Sequence, residues 1–340
     1  MSTLILDFSP ILYSNFISAS MEMTRNGYKA DPETGKLSLD NKDYVSIIKY
    51  KVFEELSQLK TLFKADEIVI AADNSKGGYW RKDVYPIYKG QRKKGRDESN
   101  LDWNAVFTVF DDIKDIINSM TTFKLIDIPR VEGDDVMFVL SEYLSRLGTP
   151  VILHSVDHDT VYNLKNPGVT WWRHVKTAKK PGSFQEVEPG EILNLELGHI
   201  IQGDAGDNIK NIKSFSAFSK KFKDMYPDRT ELEVYHKRFE LDEIFEKTYN
   251  ESAYKHPRYG LKTFMRSKKT IDELLNENEI YKMNYLMNRT IALPEGIPQD
   301  ISSNIIEAYN TVPTIKKTQK LQEFFMNEGC FELIGSLNHF

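Results

Sequence analysis

The sequence predicts an α/β fold in which a mostly parallel central sheet is flanked by helices and followed by a helical C-terminal region. Over the first 210 residues, short apolar runs alternate with stretches of helical periodicity, as repeated βαβ units require. From about residue 214 onward the helical pattern continues without an obvious strand. The chain has 340 residues, of which 40% are hydrophobic, and this is enough for one large domain or two smaller ones.

Each predicted element rests on its own local pattern. Apolar runs that end at a polar residue predict strands at 4–6, 67–72, 123–128 and 151–155. Apolar residues at helical spacing predict helices at 44–63, 103–120 and 134–147, and Gly148 ends the last of these. Residues 21–42 are polar and turn-rich, which indicates a hairpin or an excursion. Further helices are predicted at 220–254, 269–275, 279–288, 301–309 and 317–327.

Composition excludes some classes of protein. No apolar run approaches the 18 residues of a membrane span, and the N-terminus lacks the pattern of a signal peptide. Cys330 is the only cysteine, so no intrachain disulfide is possible, and we expect a reducing compartment with Cys330 buried as a small apolar residue. The net charge of -5 argues weakly against a nucleic-acid binder, but the clustering of basic residues in one part of the chain argues for one.

Nine carboxylates fall in five short clusters, and most of these clusters follow an apolar run. They are Asp7, Asp73, Glu132, Asp134, Asp135, Asp157, Asp159, Asp204 and Asp207. Ligands of open α/β sheets bind beyond the carboxyl ends of the strands, so parallel neighbouring strands would bring these acids to one crevice. Acids placed together repel each other unless cations neutralise them, and hard oxygen ligands favour Mg²⁺ or Mn²⁺. The alternative is that single acids after strands act as turn formers or helix caps.

A basic and aromatic stretch follows the second cluster. Between residues 74 and 96 there are eight basic residues and one acid, and tyrosines and a tryptophan are interleaved with them. Cations neutralise phosphates, and aromatic faces stack on unpaired bases. The alternative is a solvated charged face with the aromatic rings turned into the core. Together with an acidic metal site, the stretch favours a phosphodiester as the ligand, because carboxylates alone would repel it.

These motifs resemble those of the 5′-nucleases, or flap endonucleases, and within that family the phage ribonucleases H. The resemblance covers nearly the whole chain in order. It is carried by residues 72–83, by Glu132-Gly133-Asp134-Asp135, by 155–159, by 203–209 and by the C-terminal 336–340. It implies a PIN-like 5′-nuclease core with a helical arch. The core would span 1–213 with the arch at about 76–120, and a helical duplex-binding and C-terminal region would span 200–340.

The resemblance also implies roles for individual residues. Asp7, Asp73, Glu132 and Asp134 would serve one Mg²⁺, and Asp157, Asp159, Asp204 and Asp207 a second one, with Asp135 supporting either and Mn²⁺ able to substitute. Lys89, Arg92 and Asp134 would be catalytic, with Lys89 and Arg92 contacting the scissile phosphate. Nucleic acid would be bound by Lys76, Tyr79, Arg81, Lys82, Tyr88, Lys89, Arg92, Lys93, Lys94, Lys210 and Lys213. The family's glycine-containing turn after the last acid pair is changed here, since residues 208–215 contain no glycine.

The function that the resemblance implies is a 5′→3′ exonuclease and flap endonuclease with ribonuclease H activity. Such an enzyme would remove RNA primers from RNA–DNA hybrids and 5′ flaps during phage lagging-strand replication in the host cytoplasm. Its partners would be duplex and flap DNA, with a single-strand DNA-binding protein and a sliding clamp as further partners. Two alternatives stay open: a PIN-type single-strand RNase, and a non-catalytic DNA-structure-binding replication protein.

Overall fold

The computed structural model describes residues 2–29, 39, 41–99, 101–174, 182–214, 227–236, 259–312 and 317–340. The chain divides into two compact units. Unit 1 comprises Met1–Gly77, Glu98–Glu186 and Gln299–Phe340, and unit 2 comprises Gly78–Asp97 and Val187–Pro298. The sequence analysis divides the chain differently, into a nuclease core at 1–213 and a duplex-binding and C-terminal region at 200–340. That division concerns function, and it stays a prediction.

Unit 1 is built on a six-stranded, mostly parallel sheet, as the sequence predicted. The strands are β1 Thr3–Asp7, β2 Glu67–Ala71, β3 Lys124–Ile126, β4 Val151–Ser155, β5 Val169–Arg173 and β6 Ser183–Phe184. Their order is β3-β2-β1-β4-β5-β6, and only β6 runs antiparallel to its neighbour. The strands β5 and β6 were not predicted, because β5 mixes polar and aromatic residues and β6 has only two residues.

The strand order places a topological switch point at β1. The chain pairs β1 with β2 on one side and with β4 on the other, and in this register Asp7 lies level with Ala71 while Leu6 lies level with His154. In open parallel sheets the crevice for a ligand lies beyond the carboxyl ends of the strands at such a point. The carboxyl end of β1 is Asp7.

The helices follow the predicted periodicity in most places. In chain order they are α1 Phe8–Arg25, α2 Lys42–Phe63, α3 Arg81–Val84, α4 Gln91–Asp97, α5 Trp103–Met120, α6 Gly133–Arg146, α7 Pro189–Gln202, α8 Glu231–His236, α9 Leu261–Ser267, α10 Ile271–Leu275, α11 Glu279–Ala292, α12 Gln299–Thr311 and α13 Thr318–Asn327. Short 3₁₀ helices span His158–Lys165, Pro294–Gly296 and Phe331–His339. No helix of the described part of the chain is both long and apolar enough to cross a bilayer.

Some helices differ from the predictions. The helix α1 was not predicted, since Pro10 and several small polar residues obscure its pattern; Pro10 is tolerated because it lies in the first turn. It extends into the stretch expected to be a hairpin or excursion, of which residues 30–38 and 40 lie outside the described residues. The predicted helix at 220–254 is described only at 227–236, where α8 lies.

The C-terminal residues complete the core of unit 1. Phe340 is buried, and its ring contacts those of Phe53, Phe123 and Phe325. Thr122 Oγ1 donates to the backbone oxygen of Phe340 at 3.1 Å. Cys330 is buried in the same apolar cluster, which confirms the expected burial of this residue.

Candidate active site

Asp7 is a buried carboxylate at the carboxyl end of β1. Ser155, the last residue of β4, donates to Asp7 Oδ2 from Oγ at 2.8 Å, and the backbone amide of Ser9 also hydrogen-bonds the carboxylate. Burial and the nearby negative charge of Asp73, with a smaller contribution from Asp157, raise the pKa of Asp7 to about 7 against these hydrogen bonds. The carboxylates after β1, β2 and β4 therefore interact electrostatically at one edge of the sheet, as the sequence predicted.

Asp73 links the end of β2 to the start of α6. Its Oδ1 accepts from the amide of Gly133 at 2.7 Å, and its Oδ2 accepts from Ser9 Oγ at 2.7 Å. A Cβ on residue 133 would lie 3.1 Å from the backbone oxygen of Ala71 and 3.5 Å from Asp73 Oδ1. Glycine at this position therefore allows the positive end of the α6 dipole to approach Asp73 closely.

The three acids at the start of α6 lie in different environments. Glu132 and Asp135 are buried and belong to the capping box of the helix, in which the Glu132 amide donates to Asp135 Oδ2 at 3.1 Å. Asp134 is exposed. Asp135, which the resemblance assigns to a supporting metal role, is thus engaged in holding the helix start, whereas Asp134 faces solvent.

The loop after β4 is ordered by its own hydrogen bonds. The amide of Asp157 donates to Ser155 Oγ at 3.0 Å, and the amide of Asp159 donates to Asp157 Oδ1 at 2.9 Å. Because Ser155 Oγ also donates to Asp7, this one hydroxyl connects the β1 carboxylate to the 155–159 loop. Ser9 and Ser155 were not predicted as site residues; the signal that could have identified them is their position within two residues of a strand-end acid.

The acidic cluster of unit 1 suits a hard divalent cation. Its candidate donors are carboxylate oxygens, which Mg²⁺ prefers, and a cation there would relieve the repulsion that Asp7 experiences from Asp73 and Asp157. Among the described residues, no three Asp, Glu, His or Cys side chains already stand in the arrangement of a metal site. The side chains instead accept from serine hydroxyls and backbone amides.

Asp204 and Asp207 lie in unit 2, in the turn after α7. Asp204 Oδ1 accepts from the amide of Gly206 at 2.7 Å, so this carboxylate stabilises the turn. Asp207 Oδ1 accepts from Arg92 Nη2 at 2.9 Å and lies 3.6 Å from Lys89 Nζ, and its Oδ2 accepts from Tyr88 at 2.8 Å. The predicted metal ligand Asp207 is thus paired with the two cations predicted to contact the scissile phosphate.

The turn is held against the basic stretch by further hydrogen bonds within unit 2. The amide of Lys89 donates to the Asp207 backbone oxygen at 3.0 Å, and Gln91 Nε2 donates to the backbone oxygen of Gly206 at 2.7 Å. Asn208 Nδ2 donates to the backbone oxygen of Ile87 at 2.9 Å. Lys89 and Asn208 both adopt left-handed backbone angles, with φ of 54° and 62°. Two segments more than 100 residues apart in sequence therefore form one interlocked structure.

The structure corrects the expectation that the aromatic rings of the basic stretch are available for bases. Trp80, Tyr85 and Tyr88 are buried, and the two tyrosines belong to an apolar cluster with residues of α11. Arg81, predicted to bind nucleic acid, is also buried, and its Nε donates to the backbone oxygen of Ile291 at 2.8 Å. Neither Arg81 nor Tyr88 presents its charge or ring face to solvent, because both help to close the core of unit 2. These residues fit the alternative interpretation of the stretch, in which the aromatic rings are turned into the core.

The remaining predicted nucleic-acid residues differ in exposure. Lys76 and Lys82 are exposed and Tyr79 is half-buried, whereas the side chains of Lys93 and Lys94 lie outside the described residues. Lys210 Nζ donates to Asn208 Oδ1 at 2.7 Å, and burial lowers the pKa of Lys210. Lys213 pairs with Glu277 at 2.9 Å and lies over the rings of Tyr259 and Tyr281.

A family model described as "5′-3′ exonuclease, N-terminal resolvase-like domain" matches residues 3–189, which contain the whole sheet and the acidic cluster of unit 1. The chain belongs to the 5′-3′ exonuclease family. As a member of this family of nucleases, the chain is a hydrolase of phosphodiester bonds.

This 5′-3′ exonuclease is similar to two relatives and to one solved structure. It is 28% identical over 312 residues to ribonuclease H of Enterobacteria phage T4, a match that covers 91% of this chain and 89% of the relative. It is 28% identical over 167 residues to a 5′-3′ exonuclease of Mycoplasmopsis pulmonis (strain UAB CTIP), covering 48% of this chain and 52% of that protein. Its fold is similar to T5 5′-exonuclease with divalent zinc ions bound, with a TM-score of 0.51, 14% identity, and coverage of 92% of this chain and 99% of the other. The predicted PIN-like fold and the predicted family are both confirmed.

Proposed function

We propose that this chain is a Mg²⁺-dependent 5′→3′ exonuclease and flap endonuclease with ribonuclease H activity. The observation that carries the proposal is the acidic cluster at the carboxyl ends of β1, β2 and β4, within the region that matches the family model. The likeness to T4 ribonuclease H over most of both chains supports the hybrid-cleaving activity, and the divalent ions in T5 5′-exonuclease support the use of a metal. The enzyme would remove RNA primers and 5′ flaps in phage lagging-strand replication, in the cytoplasm of the host.

The metal positions are proposed for two groups of residues. One Mg²⁺ would be held by Asp7, Asp73, Glu132 and Asp134, and a second by Asp157, Asp159, Asp204 and Asp207, with Mn²⁺ able to substitute. When bound, such ions supply positive charge to the attacking and leaving oxygens of the phosphodiester. The contributions of the chain itself are to position Asp7 and Asp73 at the sheet edge through Ser9, Ser155 and Gly133 and to keep Asp7 buried.

Lys89 and Arg92 are proposed to hold the phosphate. In the structure both face the carboxylate of Asp207, whose oxygens occupy the kind of position that a phosphate oxygen would take. A phosphate would compete with Asp207 for these two cations. Lys89 is further fixed by its backbone hydrogen bond to Asp207 and by the rings of Tyr79 and Tyr88 beneath its ammonium group.

The proposed partners are duplex DNA, 5′-flap DNA and RNA–DNA hybrids, together with a single-strand DNA-binding protein and a sliding clamp. The nucleic-acid substrates are supported by the family, and the two protein partners rest on the resemblance to phage replication nucleases alone.

One assay tests the proposal directly. A 5′-labelled flap and an RNA–DNA hybrid are incubated side by side with the enzyme, once with Mg²⁺ and once with a chelator. We expect short 5′ products from both substrates with Mg²⁺ only. Asp134→Asn serves as the matched variant, and we expect it to abolish cleavage while it binds DNA like the wild type, because Asp134 is exposed and its replacement leaves the fold intact.

Three other outcomes would contradict the proposal. Full activity of Asp134→Asn would remove Asp134 from the metal site. Cleavage of unstructured RNA in strong preference to flaps would favour a single-strand RNase of the PIN type. A protein that neither binds Mg²⁺ nor turns over either substrate, yet binds forked DNA, would be a non-catalytic replication factor.

A further inference from the structure

Ser155, the last residue of β4, lies between carboxylates that are proposed to hold two different metal ions. Its side chain is 1% exposed, and its Oγ lies 2.8 Å from Asp7 Oδ2 and 3.0 Å from the backbone nitrogen of Asp157. Asp7 belongs to the first proposed metal group and Asp157 to the second. One neutral hydroxyl therefore contacts a residue of each group, although it is not itself proposed as a ligand of either ion.

The direction of both hydrogen bonds follows from the chemistry of the two partners. A backbone amide can only donate, so Ser155 Oγ accepts from Asp157. The single proton of the hydroxyl is then available to Asp7 Oδ2, which an ionised carboxylate accepts. Both functions of the hydroxyl, acceptor and donor, are therefore used at once, and alanine at this position would remove both.

The hydrogen-bonded chain continues beyond Asp157. Asp157 Oδ1 accepts from the amide of Asp159 at 2.9 Å, at the start of the 3₁₀ helix His158–Lys165. The backbone of Asp157 is bound to Ser155 and its side chain to Asp159, so the loop carries both of its acids in one hydrogen-bonded unit. A change in the position of Ser155 is therefore transmitted to Asp157 and Asp159 as well as to Asp7.

The backbone around Ser155 is fixed from the neighbouring strand β5. The buried indole of Trp171 donates from Nε1 to the backbone oxygen of Ser155 at 3.1 Å, and Arg173 Nε donates to the backbone oxygen of Val156 at 3.3 Å. In the parallel ladder Ser155 is also the register partner of Arg173. These contacts hold the hydroxyl in place without any contribution from a metal.

We infer that Ser155 is a positioning residue that holds Asp7 and the loop 157–159 in the arrangement in which their carboxylates bind Mg²⁺. This inference rests on the proposed function and deepens it, because it makes metal affinity depend on a neutral side chain that is not a ligand. Groups that hydrogen-bond to the ligands of a metal typically change its affinity or the activity by about 10- to 100-fold.

The test measures metal binding in the absence of substrate. Calorimetric titration with Mg²⁺, and titration with Mn²⁺ followed by electron paramagnetic resonance, compare the wild type with Ser155→Ala. We expect the apparent Kd for both ions to rise by about 10- to 100-fold in the variant. The Mg²⁺ concentration for half-maximal flap cleavage should rise with it and the rate should recover at high Mg²⁺, whereas duplex affinity in chelator should stay at the wild-type value.

Three further variants identify the hydrogen bonds as the cause. Ser155→Thr keeps the hydroxyl and should restore Mg²⁺ affinity, whereas Ser155→Cys has a similar size but a weak donor and should not. Trp171→Phe removes the Nε1 donor but keeps an aromatic ring. It should weaken Mg²⁺ binding less than Ser155→Ala does, because it acts only through the backbone of Ser155.

Ser141→Ala is the matched control. Ser141 is another fully buried serine of unit 1, and its Oγ donates to Asn163 Oδ1 at 2.8 Å. The control therefore removes a buried, hydrogen-bonded hydroxyl from a residue with no proposed contact to the metal groups, and wild-type Mg²⁺ affinity is expected. Thermal melts in chelator establish that each variant is folded and compare the loss of stability in Ser141→Ala and Ser155→Ala.

Unchanged Mg²⁺ affinity in a folded Ser155→Ala would overturn the inference. An equal loss in Ser141→Ala, or full restoration by Ser155→Cys, would also overturn it, since stability or volume would then explain the effect. Flap cleavage by the wild type in Mg²⁺ tests the proposed function separately. A wild type that binds Mg²⁺ but cleaves nothing, beside a Ser155→Ala variant with weakened binding, would leave the inference standing and the proposed function wrong.

Discussion

Asp7 in unit 1 and Asp207 in unit 2 are the same residue type in opposite electrostatic situations. Asp7 lies near two like charges, those of Asp73 and Asp157, and in the described part of the chain its compensating partners are the neutral donors of Ser155 and Ser9. Asp207 is met by the cations of Lys89 and Arg92 and by the hydroxyl of Tyr88. Among the described residues no cation compensates the charge of Asp7, whereas two cations compensate that of Asp207.

The difference separates a carboxylate whose charge is left uncompensated before a metal binds from one whose charge already has cationic partners. A cluster of acids at strand ends is destabilised by its own charge, and a bound cation removes that cost. A carboxylate that already has cationic partners is stabilised less by a bound metal. Substituting such a residue mainly frees its cationic partners. Four predictions test this comparison, beginning with the largest effect.

Asp7→Asn is expected to reduce the single-turnover cleavage rate of a flap by about 1000-fold, since the charge that attracts a cation is removed at an almost unchanged shape. In chelator the same variant should be more stable than the wild type, because one of the mutually repelling charges is gone. The apparent Tm should rise by about 2–4 °C for each kcal/mol of repulsion relieved. Thermal melts with and without Mg²⁺ check this, and a Mg²⁺-induced increase in Tm that persists in Asp7→Asn would contradict it.

Lys89→Ala is expected to slow cleavage by about 100- to 1000-fold while duplex affinity changes only slightly, because Lys89 is proposed to act on the phosphate that reacts. Rates under single-turnover conditions and anisotropy in chelator separate the two effects. Lys282→Ala, which removes an exposed cation of unit 2 that has no assigned role, is the control and should keep near wild-type rates. A loss confined to affinity would make Lys89 a docking residue.

Asp207→Asn is expected to reduce cleavage by only about 10- to 100-fold, the range typical of residues that orient a site. Its second effect should have the opposite sign: in chelator the variant should bind duplex more tightly, because Lys89 and Arg92 lose their carboxylate partner. Anisotropy titrations measure this gain. If Asp207→Asn is as damaging as Asp7→Asn and duplex binding is unchanged, the two regions do not differ as described.

Cys330 provides the smallest test, in another place where carboxylates raise the pKa of a neighbouring group. Burial, followed by the charges of Glu328 and Glu332, raises the pKa of Cys330 to about 11. A thiol whose pKa is raised on folding makes the native state less stable as pH rises from about 9 to 11. At pH 8, alkylation by iodoacetamide should be roughly 100-fold slower in the native than in the denatured protein, because the native thiol forms that much less thiolate. Mass spectrometry follows the reaction, and equal rates in both states would show that the thiol is exposed.

Much of the fold follows from the residues alone because the strands are short apolar runs with clear ends. The helix at 103–120 and the strand at 151–155 were predicted with their observed bounds. The helix α1 and the strands β5 and β6 escaped prediction, since Pro10, Trp171 and Trp172 do not give a regular local pattern. In β5 the decisive interaction is the ladder to β4, which is a contact between separate segments.

The sequence predicted which residues belong to the candidate site, but not the burial and the charged neighbours of each residue. Placement of Asp7, Asp73 and Asp157 after strands indicated one crevice. The parallel register brings these strand ends to one edge of the sheet, where the charges of Asp73 and Asp157 raise the pKa of Asp7. The burial of Arg81 and Tyr88 could not be predicted from the sequence, because a basic and aromatic stretch has the same pattern whether its rings face the solvent or the core.

The sequence by itself determined the α/β class, the strand-end acids and the family, because each depends on residue identity and spacing along the chain. Only the tertiary structure decided which acids repel each other and which are neutralised. Asp207 meets Lys89 and Arg92 from more than 100 residues away, and Asp7 meets Ser155 from the neighbouring strand. Charge interactions depend on distance and burial in space, and separation along the chain specifies neither.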